Sequence, residues 1–156
     1  RQSEGELRVQ IYEDKGQGFS EENSYFPENV YVAEKEAEFI VKFDGNVHYL
    51  RLDPAMCSCI CKIRELSMNG QPVPLQDKKV FTANGKILKS EEGADHPSVI
   101  FATEDPNMTI RADVLNRQAE NTLSVKMEIV QIPQAMAKDM MGVEKKGAAA
   151  WVFGQR

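Results

Sequence analysis

The chain has 156 residues, 42% of them hydrophobic and 28% charged, and 19 Lys and Arg against 24 Asp and Glu give a formal net charge of −5. That length fits one domain, and the composition excludes a disordered or fibrous chain. The acidic balance opposes general nucleic-acid binding, and no apolar run approaches the ~20 residues of a membrane-spanning helix, so no direct membrane insertion is expected.

Alternation of apolar and polar residues with a period of two dominates the chain. Leu7, Val9 and Ile11 alternate with Arg8, Gln10 and Tyr12, predicting a first strand that ends at the Asp14-Lys15-Gly16 turn. Residues 16–25 read as a loop in which Ser20 caps one helical turn, with Glu21 and Glu22 at its positive end. Residues 30–32 form a short strand candidate. Phe39, Val41 and Phe43 predict the inward face of the next strand, and Asp44-Gly45-Asn46 reads as a tight hairpin turn. His48, Leu50 and Leu52 share the inner face of the return strand, which Pro54 closes because it lacks a ladder donor.

Cys57, Cys59, Cys61 and Ile63 then occupy one face of a strand, after which the apolar parity shifts to Leu66 and Met68. Such a slip predicts a β-bulge near Arg64-Glu65, or a strand bending between sheets. Asn69-Gly70 ends it. Further strands are expected over 80–83, 87–88, 99–103, 108–115 and 123–132, the last with a second parity slip at Val130 and Ile132. Turns are expected at Asn84-Gly85, over 93–97 and at Asp105-Pro106-Asn107.

About nine short strands without intervening helices predict an all-β fold, an antiparallel two-sheet β-sandwich of jelly-roll or immunoglobulin-like type. A closed β-barrel is the alternative. Met136, Met140 and Val143 sit at helical spacing, so 134–143 reads as a short terminal helix followed by an Ala/Gly linker. The division expected is 1–132 as the β-sandwich module and 133–156 as helix and linker toward a neighbouring domain. A start at Arg1 without Met, and an end on Gly-Gln-Arg after Trp151-Val152-Phe153, suggest a piece of a longer polypeptide.

Cys-x-Cys-x-Cys in a strand sets three thiols on one side, about 6.6 Å apart. Zinc requires four ligands folded around a point, so the better account is small buried residues on an inner sheet face. Their odd number favours a reducing compartment. His48 on an apolar face reads as a core or interface histidine, and His96 as a solvated turn residue. Asp44, Asp53, Asp95 and Asp105 lie in or beside turns, where Asp bonds its own backbone. No metal or cofactor is expected, and no nucleophile elbow, phosphate loop or His-Glu-x-x-His helix occurs. Tyr12 points outward, Phe19, Tyr25 and Phe26 cluster in the long loop, and Tyr31 and Tyr49 are further aromatic candidates for stacking on a sugar, while the single Trp151 lies in the tail.

Residue chemistry alone yields an acidic, mostly β domain; the functional expectation comes from a resemblance. Val9-Gln10-Ile11-Tyr12 leads through Gly16-Gln17-Gly18 into Phe19-Ser20-Glu21-Glu22. Leu50-Arg51-Leu52-Asp53-Pro54 then precedes the cysteine strand running to Ile63 and Leu66, and 101–110 holds Asp105-Pro106-Asn107. In this order the segments resemble a β-sandwich accessory module of large bacterial glycosyltransferases that build surface polysaccharides, including rhamnan-synthesis proteins, over residues 7 to 132. The resemblance implies a non-catalytic module that positions acceptor glycan or neighbouring domains, in a parent protein whose transferase activity resides in a separate domain. It implies a glycan and that catalytic domain as partners, no nucleic acid, and a cytoplasmic location, at the inner face of the cell membrane through the parent protein. Candidate carbohydrate contacts are Tyr12, Tyr25, Arg51 and Asp53. A structural spacer without sugar binding, and a small glycan hydrolase with two convergent carboxylates, are the alternatives.

Overall fold

Alternating side chains drive the chain into two antiparallel sheets whose apolar faces pack together. The computed structural model describes residues 7–90, 93–115 and 117–142; Val143, Trp151 and the Ala/Gly linker lie outside them. In chain order the strands are β1 (Gln10–Asp14), β2 (Ser24–Tyr25), β3 (Glu36–Asp44), β4 (Tyr49–Asp53), β5 (Cys59–Met68), β6 (Gln71–Pro72), β7 (Phe81–Ala83), β8 (Lys86–Ser90), β9 (Gly93–Phe101), β10 (Met108–Arg111) and β11 (Glu120–Gln131). One sheet, here sheet A, runs β2-β1-β4-β10-β7; sheet B runs β3-β11-β5-β9-β8, with β6 paired to the end of β5. Two open sheets form a sandwich, and no barrel closes.

The core lies between them. Ile11, Leu50, Leu52, Phe81, Met108 and Ile110 of sheet A face Phe39, Val41, Cys61, Phe101, Leu123 and Val125 of sheet B, all in one buried cluster. Removing apolar surface from water in this way is the main favourable term in folding. The three cysteines are free and buried within it, and the Cys61 thiol lies 3.3 Å from Met127 Sδ. Burial pushes the Cys61 thiol up to about 12 and raises Cys59 well above its ordinary value, so both are neutral thiols.

The predicted bulge lies where the parity slips. Lys126 of β11 pairs with Glu65 and Met127 with Ile63, leaving Arg64 as the extra residue of β5. Asn69 (φ 50°) and Gly70 (φ 84°) make the predicted β5–β6 turn, both left-handed as a two-residue hairpin loop requires. The second parity slip has another origin. Ile60, Ile100, Ile132 and Ala137 form a smaller apolar cluster on the outer side of sheet B, beneath the helix α1 (Gln134–Gly142). Val130 packs against that cluster as well, so β11 becomes apolar on both faces where α1 covers it.

Several expectations are corrected. Asp44-Gly45-Asn46 is no hairpin, because β3 and β4 belong to different sheets. There the chain crosses the sandwich, with Asp44 Oδ1 accepting from Asn46 N at 2.8 Å and Gly45 N donating to Ala119 O at 2.9 Å. Asn84-Gly85 is another crossing, from β7 in sheet A to β8 in sheet B. Residues 93–97 are not a turn but the start of β9, in which Pro97 precedes the stretch paired with β5 from Ser98 onward. Residues 30–32 contribute only a single bridge, Tyr31 to Ala37. His48 precedes β4, and its side chain is 42% exposed rather than in the core.

These two crossings each bring backbones together at a glycine, Gly45 and Gly85. A Cβ on Gly85 would lie 2.4 Å from Ile100 O and 2.8 Å from Phe101 Cδ1, whereas one on Gly142 would meet nothing within 4 Å. Gly85→Ala is therefore expected to cost about 1–3 kcal/mol in denaturant unfolding, and Gly142→Ala no more than about 0.5 kcal/mol. An unchanged midpoint for Gly85→Ala would contradict the close approach.

Candidate functional site

With Leu50 and Leu52 turned inward, alternation puts Arg51 and Asp53 on the outer face of sheet A. The register sets Tyr12 opposite Arg51 on one side and Thr109 on the other, with Gln10 opposite Asp53. Arg51 Nε and Nη2 donate to Asp53 Oδ1 and Oδ2, both at 2.8 Å. This two-pronged contact uses the planar fork that a lysine lacks. The guanidinium also lies over the Tyr12 ring, 4.2 Å from its centroid.

A loop from the preceding turn closes over Tyr12. Asp14 Oδ1 accepts from Gly16 N at 2.7 Å and Gly18 N at 2.9 Å, and both glycines have positive φ. The chain then delivers Phe19, whose ring meets Tyr12 edge-on at 6.4 Å between centroids. Residues Glu21–Asn23 form the single helical turn expected after Ser20, although the Ser20 side chain makes no capping bond to it. Glu21 instead accepts from the Tyr12 hydroxyl at 2.5 Å and from Gln10 Nε2 at 3.3 Å. Tyr12 lies on the outer face but is only 6% exposed. Its ring is occupied by Arg51 and Phe19.

Burial sets the electrostatics. Desolvation, then the Glu21 hydrogen bond, push the Tyr12 hydroxyl up to about 12. Hydrogen bonds from Tyr12 and Gln10 hold Glu21 below the usual carboxylate range. Burial pushes Asp53 up against the downward pull of Arg51, and Arg51 is raised through its hydrogen bonds to Asp53. Asp105, in the loop before β10, places Oδ1 3.8 Å from Arg51 Nη2, with its side chain 73% exposed.

Of the four candidate contacts, Tyr12, Arg51 and Asp53 are brought together. Tyr25 is not among them: it pairs opposite Ile11 at the sheet edge, 39% exposed, and its hydroxyl is raised by burial and by Glu13. Sequence reasoning did not link Gln10, Glu21 and Asp105 to Arg51. It also missed a second group on the same face, in which Arg111 Nε donates to Asp113 Oδ1 at 2.9 Å and the guanidinium stands 5.9 Å from the Tyr49 ring centroid. His48 Nδ1 lies 3.3 Å from Asp113 Oδ2. A signal was present as a repeated Arg-x-Asp, Arg51-Leu52-Asp53 and Arg111-Ala112-Asp113; in the first the spacing puts both side chains on one face of a strand, whereas in the second the strand ends at Arg111 and Asp113 lies in the helical turn Ala112–Val114.

His96 lies on β9 with Nδ1 buried and lacking a hydrogen-bond partner, not in a solvated turn. Among the described residues no group of three or more His, Cys, Asp or Glu is placed to hold a metal ion. No family model, curated protein or solved structure matches this chain.

Two outcomes test the cluster. Arg51→Leu strands the buried Asp53 and should cost about 3 kcal/mol in denaturant unfolding, whereas the Arg51→Leu/Asp53→Leu double variant should cost clearly less; equal losses would show that no uncompensated charge is stranded at Asp53. In alkaline titration, Tyr12 should ionise near 12 by phenolate absorbance, and Glu21→Gln should bring that value partway toward 10. Because the folded value is raised, the stabilisation from this hydroxyl is complete below pH 10 and declines as pH climbs toward 12.

Proposed function

We propose that this chain is a non-catalytic β-sandwich module of a bacterial polysaccharide glycosyltransferase, and that it holds glycan on the outer face of sheet A. The observation that carries this reading is the fixed Arg51 guanidinium, clamped by Asp53 and stacked on Tyr12 while its side chain stays 21% exposed. Sugar hydroxyls are recognised by planar hydrogen-bonding groups, and a group already held in place loses little entropy on binding. The absence of acid–base chemistry in the proposal is supported by the state of the carboxylates: both oxygens of Asp53 accept from Arg51, and both of Glu21 accept from Tyr12 and Gln10. No described helix is long and apolar enough to cross a membrane; a cytoplasmic position beside the membrane belongs to the proposal.

A second reading, docking of a neighbouring domain, draws on a groove of about 420 Å³ at the start of α1, lined by Met56, Ile132 and Pro133 with Glu104 and Gln134. The two readings separate in one experiment. Titration with rhamnose-containing oligosaccharides at millimolar concentration should shift the amides of Tyr12, Arg51, Asp53 and Thr109. No heat and no shift at that concentration would overturn glycan binding and leave the docking reading.

A further inference from the structure

Three carboxylates, Asp53, Glu21 and Asp105, stand around Arg51. Asp105 and Glu21 both act electrostatically on Asp53, so all three share one local field. The second group does not redress the balance, since Arg111 is matched by Asp113. The surroundings of Arg51 are thus electronegative at the place where a guanidinium by itself would suggest an anion site. A carboxylate or phosphate arriving there meets more negative than positive charge, and Asp53 already occupies the side-on Nε/Nη2 face of the fork, so an anion reaching the end-on Nη1/Nη2 face would sit beside Asp53 and Asp105.

The remaining geometry suits a different donor and acceptor set. Arg51 Nη1 makes no hydrogen bond among the described residues, and Nη2 lies 3.8 Å from Asp105 Oδ1, too far for a direct hydrogen bond. An oxygen placed between them must accept from the guanidinium and donate to the carboxylate. A hydroxyl does both, whereas an ionised carboxylate accepts only. Thr109 flanks the position with a further hydroxyl in register with Arg51.

Building on the glycan-binding reading, we infer that the site selects uncharged sugars, with one sugar hydroxyl bridging Arg51 and Asp105, and rejects uronate-containing and phosphorylated glycans. Asp105 is the selecting residue. Its exposed side chain lies outside the core, so it can be changed without unfolding the sandwich.

The test compares a panel of neutral oligosaccharides with uronate oligosaccharides of matched length, read by amide shifts and by calorimetry at constant ionic strength. Neutral members should bind the unaltered protein, and uronates at least about tenfold more weakly. Asp105→Ala should weaken the neutral ligand about tenfold through loss of one charge-assisted hydrogen bond, and should narrow the gap to the uronates. Far-ultraviolet circular dichroism of Asp105→Ala checks that the fold is retained, and Asp105→Asn, which keeps the shape and an acceptor oxygen, provides a second variant in which the gap should also narrow. Uronates binding as tightly as neutral sugars would overturn the inference and leave glycan binding intact. No response to sugars of either charge would overturn both.

Discussion

Leu50 and Leu52 reach essentially zero exposure between the sheets, and their burial decides which way β4 faces. A register slip of one residue would expose both leucines and bury Arg51 in their place, so the pairing with β1 and β10 is strongly fixed. Everything on the outer face follows from that lock. Arg51 and Asp53 emerge side by side because they are two residues apart on the same strand, and Tyr12 and Thr109 flank Arg51 because their own strands are bound by the inward burial of Ile11, Met108 and Ile110. The polar surface is in this sense a by-product of the core: apolar residues choose the register, and the register delivers a guanidinium to the middle of a five-stranded sheet.

The legible part of the fold was the part written in local periodicity. The bulge at Arg64 follows from five residues of parity, and the Asn69-Gly70 turn from two residues that tolerate positive φ. Burial of Cys57, Cys59 and Cys61 follows from alternation. The failures share a different cause, which is partner identity. Asp44-Gly45-Asn46 has hairpin chemistry, yet it leads β3 and β4 into opposite sheets, because β3 pairs with β11, more than seventy residues further on. Nothing near position 45 records that choice. The apolar outer positions Ile60, Val130 and Ile132 likewise make sense only once α1 lies across them.

The site divides along the same line. Arg51 with Asp53 could be anticipated, since an Arg-x-Asp spacing in a strand places a donor fork beside an acceptor fork, whereas Arg111 meets Asp113 through a helical turn that follows the strand, with a single bond from Nε. The Tyr12 to Glu21 contact joins a strand to a loop nine residues on, through a turn whose shape rests on Asp14 gathering two glycine amides. Its direction depends on three-dimensional closure. Tyr12 reads as an outward aromatic and does lie on the outer face, but the loop covers it; period-two patterning reports the face of a sheet and is silent on what lies across that face.

Burial also explains why the cluster is tense and still well ordered. Desolvation works against the charge on Asp53 and against ionisation of Tyr12, while Arg51 and Glu21 each depend on those same groups for hydrogen bonds. A buried ion pair of this kind adds little net stability compared with apolar packing, but removing one partner is costly. Its value here is positional. The fork is fixed by two bonds to Asp53 and one aromatic face, on strands at the centre of a sheet rather than at a loop tip. A guanidinium on a free side chain would lose rotamer entropy on every binding event; this one has surrendered that freedom during folding, and the core formed by Leu50, Leu52 and their neighbours supplies the stability that offsets it.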